Sequence, residues 1–96
     1  MEHKELKDIR KRIDEIDKKI LELVAERNRL AKNVAEIKVK NNIPIDDKER
    51  EKYIYERIKN LCNHYNIDPN FGLKLFKLLI EHNKELQRKY IETLKK

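Results

Sequence analysis

Between Leu6 and Asn41, positions recur at alternating steps of three and four: Leu6, Ile9, Ile13, Ile16, Ile20, Leu23, Arg27, Leu30, Val34 and Ile37. That spacing puts all of them on one stripe of an α-helix. No Gly or Pro interrupts the run, and Arg27 alone breaks its apolar character. The pattern predicts a first helix over about 4–41, fading at Asn41-Asn42. Pro44, within Ile43-Pro44-Ile45, cannot continue a helix and biases Ile43 toward an extended backbone, so a short connector follows. A second helix, about 47–64, is expected to start at Asp46 or Asp47, with Asp46 and Glu49 spaced as a capping box. Its apolar face reads Ile54, Ile58, Leu61, Cys62, Tyr65, and one turn earlier reaches Arg50 and Glu51. After a turn at 63–67, Asp68-Pro69 offers an N-cap and a first-turn proline. The third helix, about 69–94, carries an inner stripe of Leu73, Phe76, Ile80, Asn83, Gln87, Tyr90 and Leu94. No sheet-type alternation appears. The expectation is an all-α fold of three helices in one domain spanning 1–96.

The length of the first helix adds a constraint. About 36 residues span roughly 54 Å. A compact chain of 96 residues has a radius of gyration of about 12.5 Å and is only ~30 Å across. The helix overshoots the globule its own chain can build. A second copy of the chain is the cheapest cover for the protruding stripe, so an intertwined homodimer is expected.

Composition narrows the function. The chain is 44% charged and 39% hydrophobic, with one Gly, two Pro and no Trp, which suits helices and starves turns and sheets. A formal net charge of +6 leaves nucleic acid, an acidic membrane surface or a small polyanion open as partners. The single Cys62 cannot form an internal disulfide and fits a reducing cytosol. No apolar run approaches the ~18 residues of a membrane span, and the N-terminus has no apolar signal region. A cytoplasmic protein is expected. The density of Lys, Glu and Ile is of the kind found in proteins of hot environments.

Much familiar chemistry is missing. One glycine cannot build a phosphate-binding loop, and with no serine there is no Ser/His/Asp set. His3, His64 and His82 are scattered, and neither they nor Cys62 have metal-ligand spacing, so no metal is expected. Cys62 on an apolar face reads as a small core residue. What remains is a set of charges and amides on inward faces: Arg27, Lys38, Arg50, Glu51, Asn83 and Gln87. A guanidinium within an Ile/Leu seam is costly to bury unless an anion meets it or it snorkels to water from the edge. Asn83 and Gln87, four apart, either bond each other or water, or face a polar ligand. Arg27 and Lys38 point within ~20° of each other on the helix. Arg10 lies some 25 Å before Arg27 and ~100° round the helix, so one chain's pair cannot grip one small ligand. If the first helix pairs antiparallel with its twin about Leu23, Arg10 of the partner subunit falls opposite residue ~36, between Arg27 and Lys38.

Arg10 in LKDIRKRIDEID, Arg27 in LVAERNRLA, Lys38 in VAEIK, Asp47, Arg50 and Glu51 in IPIDDKEREK, and Gln87 in LFKLLIEHNKELQ together resemble the all-α chorismate mutase family, the AroQ class. The resemblance covers nearly the whole chain in order. It implies three helices in an intertwined homodimer with two shared sites, and a cofactor-free Claisen rearrangement of chorismate to prephenate in Tyr and Phe biosynthesis. It assigns carboxylate clamping to Arg10 of the partner subunit, Arg27 and Arg50, as suits bidentate guanidinium–carboxylate pairing. Lys38 and Gln87 resemble the donors to the ether oxygen, and Glu51 the acceptor of the ring hydroxyl, with the backbone at Asp47 assisting. Asn83 stands where some members carry a small hydroxyl residue near a carboxylate, which implies tuning rather than loss. Because the chain ends at Lys96, a stand-alone monofunctional form is expected.

Three other readings compete. A basic helical dimer gripping nucleic acid fits the net charge, but Lys and Glu are interleaved and no basic stripe or aromatic platform appears. A purely structural coiled coil leaves Arg27, Asn83 and Gln87 unexplained. Isochorismate pyruvate lyase resembles the same family in helices and several charged positions; the IPIDDKEREK segment and Gln87 favour the mutase.

Overall fold

A computed structural model of the chain describes residues 3–95. It has three helices and, among the described residues, no strand: α1 (Lys4–Lys40), α2 (Lys48–His64) and α3 (Pro69–Leu94). α3 packs against both of the others, and α1 and α2 do not pack on each other. The molecule measures 57 × 31 × 14 Å with a radius of gyration of 17.6 Å. The long dimension is α1 itself, which at ~1.5 Å per residue is about 55 Å long.

Asparagine does at both turns what glycine usually does. Asn42 and Asn66 adopt left-handed backbone at φ 55 and 56°, a conformation Asn tolerates better than most residues. Each is the residue after a helix C-cap. Ile43 N–H then donates to Lys38 O at 2.8 Å, and Ile67 N–H to Cys62 O at 2.8 Å. Those six-to-one bonds satisfy carbonyls the helix ends would leave open. The start of α2 selects one of the two expected caps and corrects the Asp46–Glu49 capping box. Asp47, not Asp46, is the N-cap, its carboxylate accepting from Arg50 N–H at 2.9 Å. Asp46 stays outside the helix and turns its carboxylate toward α3. Asp68 caps α3 through Asn70 N–H, with Pro69 in the first turn.

The core is small. Ala31 and Ala35 of α1, Ile58 and Cys62 of α2, and Gly72 and Ile80 of α3 are buried. Gly72 lets α3 approach α2 closely: a Cβ there would overlap Cys62 Sγ. Tyr90 of α3 donates to Glu36 of α1 and ties the far end. That bond raises the tyrosine's pKa, with desolvation adding to it.

The predicted heptad stripe of α1 is not the face that packs within the chain. Ala31 and Ala35 face α3, while Leu30, Val34 and Ile37 beside them are exposed. Every residue from His3 to Leu23 is exposed, including Ile9 at 60% and Leu23 at 61%. Helices of this kind owe most of their stability to packing rather than propensity. Among the described residues, nothing buries the N-terminal half of α1. Among the described residues no helix is long and apolar enough to cross a membrane.

Candidate active site

Where the C-terminal half of α1, the α1–α2 connector and the middle of α3 meet, a cavity of about 190 Å³ opens. Its apolar surface comes from Val34, Ile45, Ile54 and Ile80. Around that surface stand Arg27 and Lys38 from α1, Asp47, Arg50 and Glu51 from the start of α2, and Asn83, Lys84 and Gln87 from α3. Four cations face two carboxylates, so the cavity favours an anionic ligand.

Seven of the eight residues singled out from the sequence therefore line one cavity. Arg10 does not: it is exposed on the projecting half of α1, some 25 Å along the helix from Arg27.

Each side chain is held by identifiable contacts. Lys38 Nζ donates to Ile45 O at 2.7 Å and to Gln87 Oε1 at 3.2 Å. Two of its three donors are used, which fixes the third. Gln87 is only 7% exposed; with its oxygen engaged, its amide N–H groups remain as donors without a protein acceptor among the described residues. Arg27 is half-buried rather than extended into water, its guanidinium 5.8 Å from the centre of the Phe76 ring, within range of a cation–π contact. Its Nε is buried with no hydrogen-bond partner among the described residues, and the same holds for Asn83 Nδ2 and Asn28 Oδ1. Buried donors are usually satisfied; two unpaired ones at a cavity wall are places for a ligand's oxygens. Arg50 is exposed and lies over the Tyr53 ring at 5.2 Å. Asp47 spends its carboxylate on capping α2, leaving its backbone as the group that can serve a ligand.

Lys84 was not singled out from the sequence. Its Nζ lies 3.2 Å from Asp46, 3.3 Å from Glu51 and 3.3 Å from Glu81. Arg88 also reaches Asp46, at 3.6 Å. The hydrogen bond from Lys84 holds the Asp46 carboxyl below its ordinary value. The same bond to Asp46 holds the Lys84 ammonium well above the usual lysine range, against the opposing effect of burial. A cation one position from Asn83 and three from Gln87, facing an acidic connector, was the available signal; in a chain this rich in lysine it does not stand out.

No group of three or more His, Cys, Asp or Glu side chains among the described residues is placed to hold a metal ion. The arrangement is one of fixed donors around an apolar floor, suited to gripping carboxylates and to meeting negative charge that develops during a reaction.

Comparison with known proteins is consistent with that chemistry. The sequence profile of the chorismate mutase type II family matches residues 9–88. A chorismate mutase from Methanocaldococcus jannaschii is 64% identical over 87 residues, covering 91% of this chain and 88% of that protein. A bifunctional chorismate mutase/prephenate dehydratase from Buchnera aphidicola is 42% identical over 87 residues, and there the chain spans only 23% of the relative's length. Among solved structures, the NMR structure of a monomeric chorismate mutase from Methanococcus jannaschii superposes with a TM-score of 0.71 at 58% identity, covering 95% of this chain and 96% of that one. The profile match over most of the chain and the extent of the first relative establish that this chain belongs to the chorismate mutase type II family.

Proposed function

We propose that this chain is a cytoplasmic chorismate mutase that rearranges chorismate to prephenate for aromatic amino acid synthesis, without a cofactor, as a homodimer with shared sites. The observation that carries the proposal is the convergence of Arg27, Lys38, Arg50, Asn83 and Gln87 on one cavity with an apolar floor. Chorismate is a dicarboxylate whose two ends must be brought together in a compact chair. Arg27 and Arg50 grip its carboxylates. Arg10 of the partner subunit joins them, delivered by antiparallel pairing of two α1 helices through the exposed stripe. Asn83 Nδ2 supplies a further donor near a carboxylate. Glu51 accepts the ring hydroxyl, with the backbone at Asp47 assisting. Positioning of this kind contributes up to ~7–11 kcal/mol in favourable cases.

The reaction is unimolecular: the ether C–O bond breaks as a C–C bond forms at the other end of the molecule. Negative charge builds on the ether oxygen as the C–O bond lengthens. The third N–H of Lys38 and the amide N–H of Gln87 meet that oxygen. Both are pre-aimed by the bond between them, so little reorganisation is needed when the charge appears.

The test is direct. The purified protein is incubated with chorismate, its absorbance followed, and the product identified by chromatography. Prephenate formed in the presence of a chelator supports the proposal. No turnover by a folded protein refutes it, and pyruvate release from isochorismate would move the assignment to the lyase. Sedimentation tests the dimer separately. The 58% identical solved relative is described as monomeric, so a monomer at working concentration would remove Arg10 from the site.

A further inference from the structure

Lys84 is committed to three carboxylates on three segments: Asp46 in the connector, Glu51 on α2 and Glu81 on its own helix. Its ammonium donates to Glu51 Oε1 and lies within ion-pair distance of the other two, so its charge is spent on carboxylates rather than offered to a ligand. The side chain is only 15% exposed, and Glu51 only 21%. Lys84 and Glu51 also line an open groove next to the cavity, bordered by Asp46, Lys52 and Tyr55. Nothing else among the described residues hydrogen-bonds to the Glu51 carboxylate. A glutamate at the end of three rotatable bonds could turn to either space; the bond from Lys84 to Oε1 selects one arrangement and leaves Oε2 as the free acceptor.

We propose that Lys84 is a positioning residue for the reaction: it orients the Glu51 carboxylate at the cavity wall and, through Asp46, ties the entry of α2 to α3, without itself touching the reacting atoms. The assignment rests on Glu51 accepting the substrate's ring hydroxyl. Lys84 therefore acts through Glu51, and its removal matters only while that carboxylate is present. A misplaced contact of about 1 Å can lower a rate by up to ~100-fold; a tether loosened at one end is expected to lower kcat/KM by roughly tenfold.

The test is a double-mutant cycle on the full chain with chorismate as substrate. Lys84→Met is expected to lower kcat/KM about tenfold, and Lys84→Arg to restore most of it, because the guanidinium keeps the ion pair. In a Glu51→Ala background, where no side-chain acceptor remains, Lys84→Met is expected to change kcat/KM by less than about twofold. Glu81→Gln, which removes only the solvent-side contact, is expected to leave activity unchanged. Three results overturn the proposal. The first is an equal loss from Lys84→Met in both backgrounds, which means Lys84 acts independently of Glu51. The second is wild-type activity in Lys84→Met beside an impaired Glu51→Ala, which removes Lys84 alone. The third is wild-type activity in Glu51→Ala, which has no side-chain acceptor, and this removes the role of Glu51 in the proposed function as well. If Lys84→Met loses its helical circular dichroism, Lys84→Gln takes its place in the same cycle.

Discussion

Replacing Lys38 by methionine keeps most of the side-chain volume and removes the charge and every donor. The structure separates what is lost. One donor is the N–H that Ile45 O and Gln87 Oε1 leave unused, on a side chain that lines the cavity. A preorganised donor to a developing oxyanion is typically worth about 3–4 kcal/mol, or 10²–10³ in kcat. Gln87 Oε1 also loses its partner in a side chain only 7% exposed. An unsatisfied buried acceptor costs about 1–3 kcal/mol of stability. The Ile45 carbonyl, in the connector, can turn to water. So Lys38→Met should lower kcat and kcat/KM together by a hundredfold or more, with KM little changed. It should also lower the unfolding midpoint by several degrees. The assay is chorismate consumption well below that midpoint, with circular dichroism on the same sample. Turnover within about threefold of wild type in a folded protein would refute the role. A raised KM with intact kcat would move Lys38 from the ether oxygen to a carboxylate.

Three shorter predictions rest on other contacts. Gly72→Ala should destabilise the fold by about 1–3 kcal/mol in urea titrations, although helix propensity alone favours alanine, because the new methyl meets Cys62 Sγ and lies 3.4 Å from Ile58 Cγ2; Cys62→Ala in the same chain should recover part, and no recovery would dismiss the contact. Mixing Arg10→Ala with Arg27→Ala chains should restore activity, since a mixed dimer holds one intact site; no recovery after verified subunit exchange would refute sharing. Tyr90 is held protonated in the fold by donating to Glu36, so its stabilisation is complete below the unfolded tyrosine value of ~10 and fades as pH rises through the higher folded value. Tyr90→Phe should therefore lose less stability than wild type across that alkaline range, and parallel curves would refute the bond.

How much of this was legible beforehand depends on whether a feature leaves a periodic or local mark. The three helices do: long apolar stripes, Pro44 and Asp68-Pro69 punctuate the chain. So do Arg27, Asn83 and Gln87, polar residues that interrupt apolar stripes. The cap of α2 stays open between Asp46 and Asp47 in the sequence, with the capping box placed on Asp46, because both carry the right side chain. Asp46 instead serves Lys84 and Arg88, partners about forty residues away, and no local rule encodes that pairing. The α3-facing side of α1 was hidden for a different reason. Its buried residues are Ala31 and Ala35, too small to outweigh the neighbouring Leu30 and Val34 in any reading of the pattern.

Those two faces of α1 explain why the exception in the pattern sits at the cavity. At 100° per residue, Val34, Leu23 and Leu30 lie ~20–60° to one side of Arg27, while Lys38 and Ala31 lie ~20–40° to the other. Arg27 marks the boundary between the face that α3 covers and the face that the chain leaves bare. The cavity lies along the same boundary, since Arg27, Val34 and Lys38 are the residues α1 contributes to it. An apolar residue at position 27 would extend the seam and fill that edge. A long cation leaves it open and charged. A second chain laid on the exposed stripe would then border the cavity directly, which is where the proposed pairing sets Arg10 of the partner subunit. Dimerisation and completion of the site are on this account one event, so dilution below the dimer's dissociation constant should abolish turnover and assembly in parallel, and full activity in a dilute monomer would separate them.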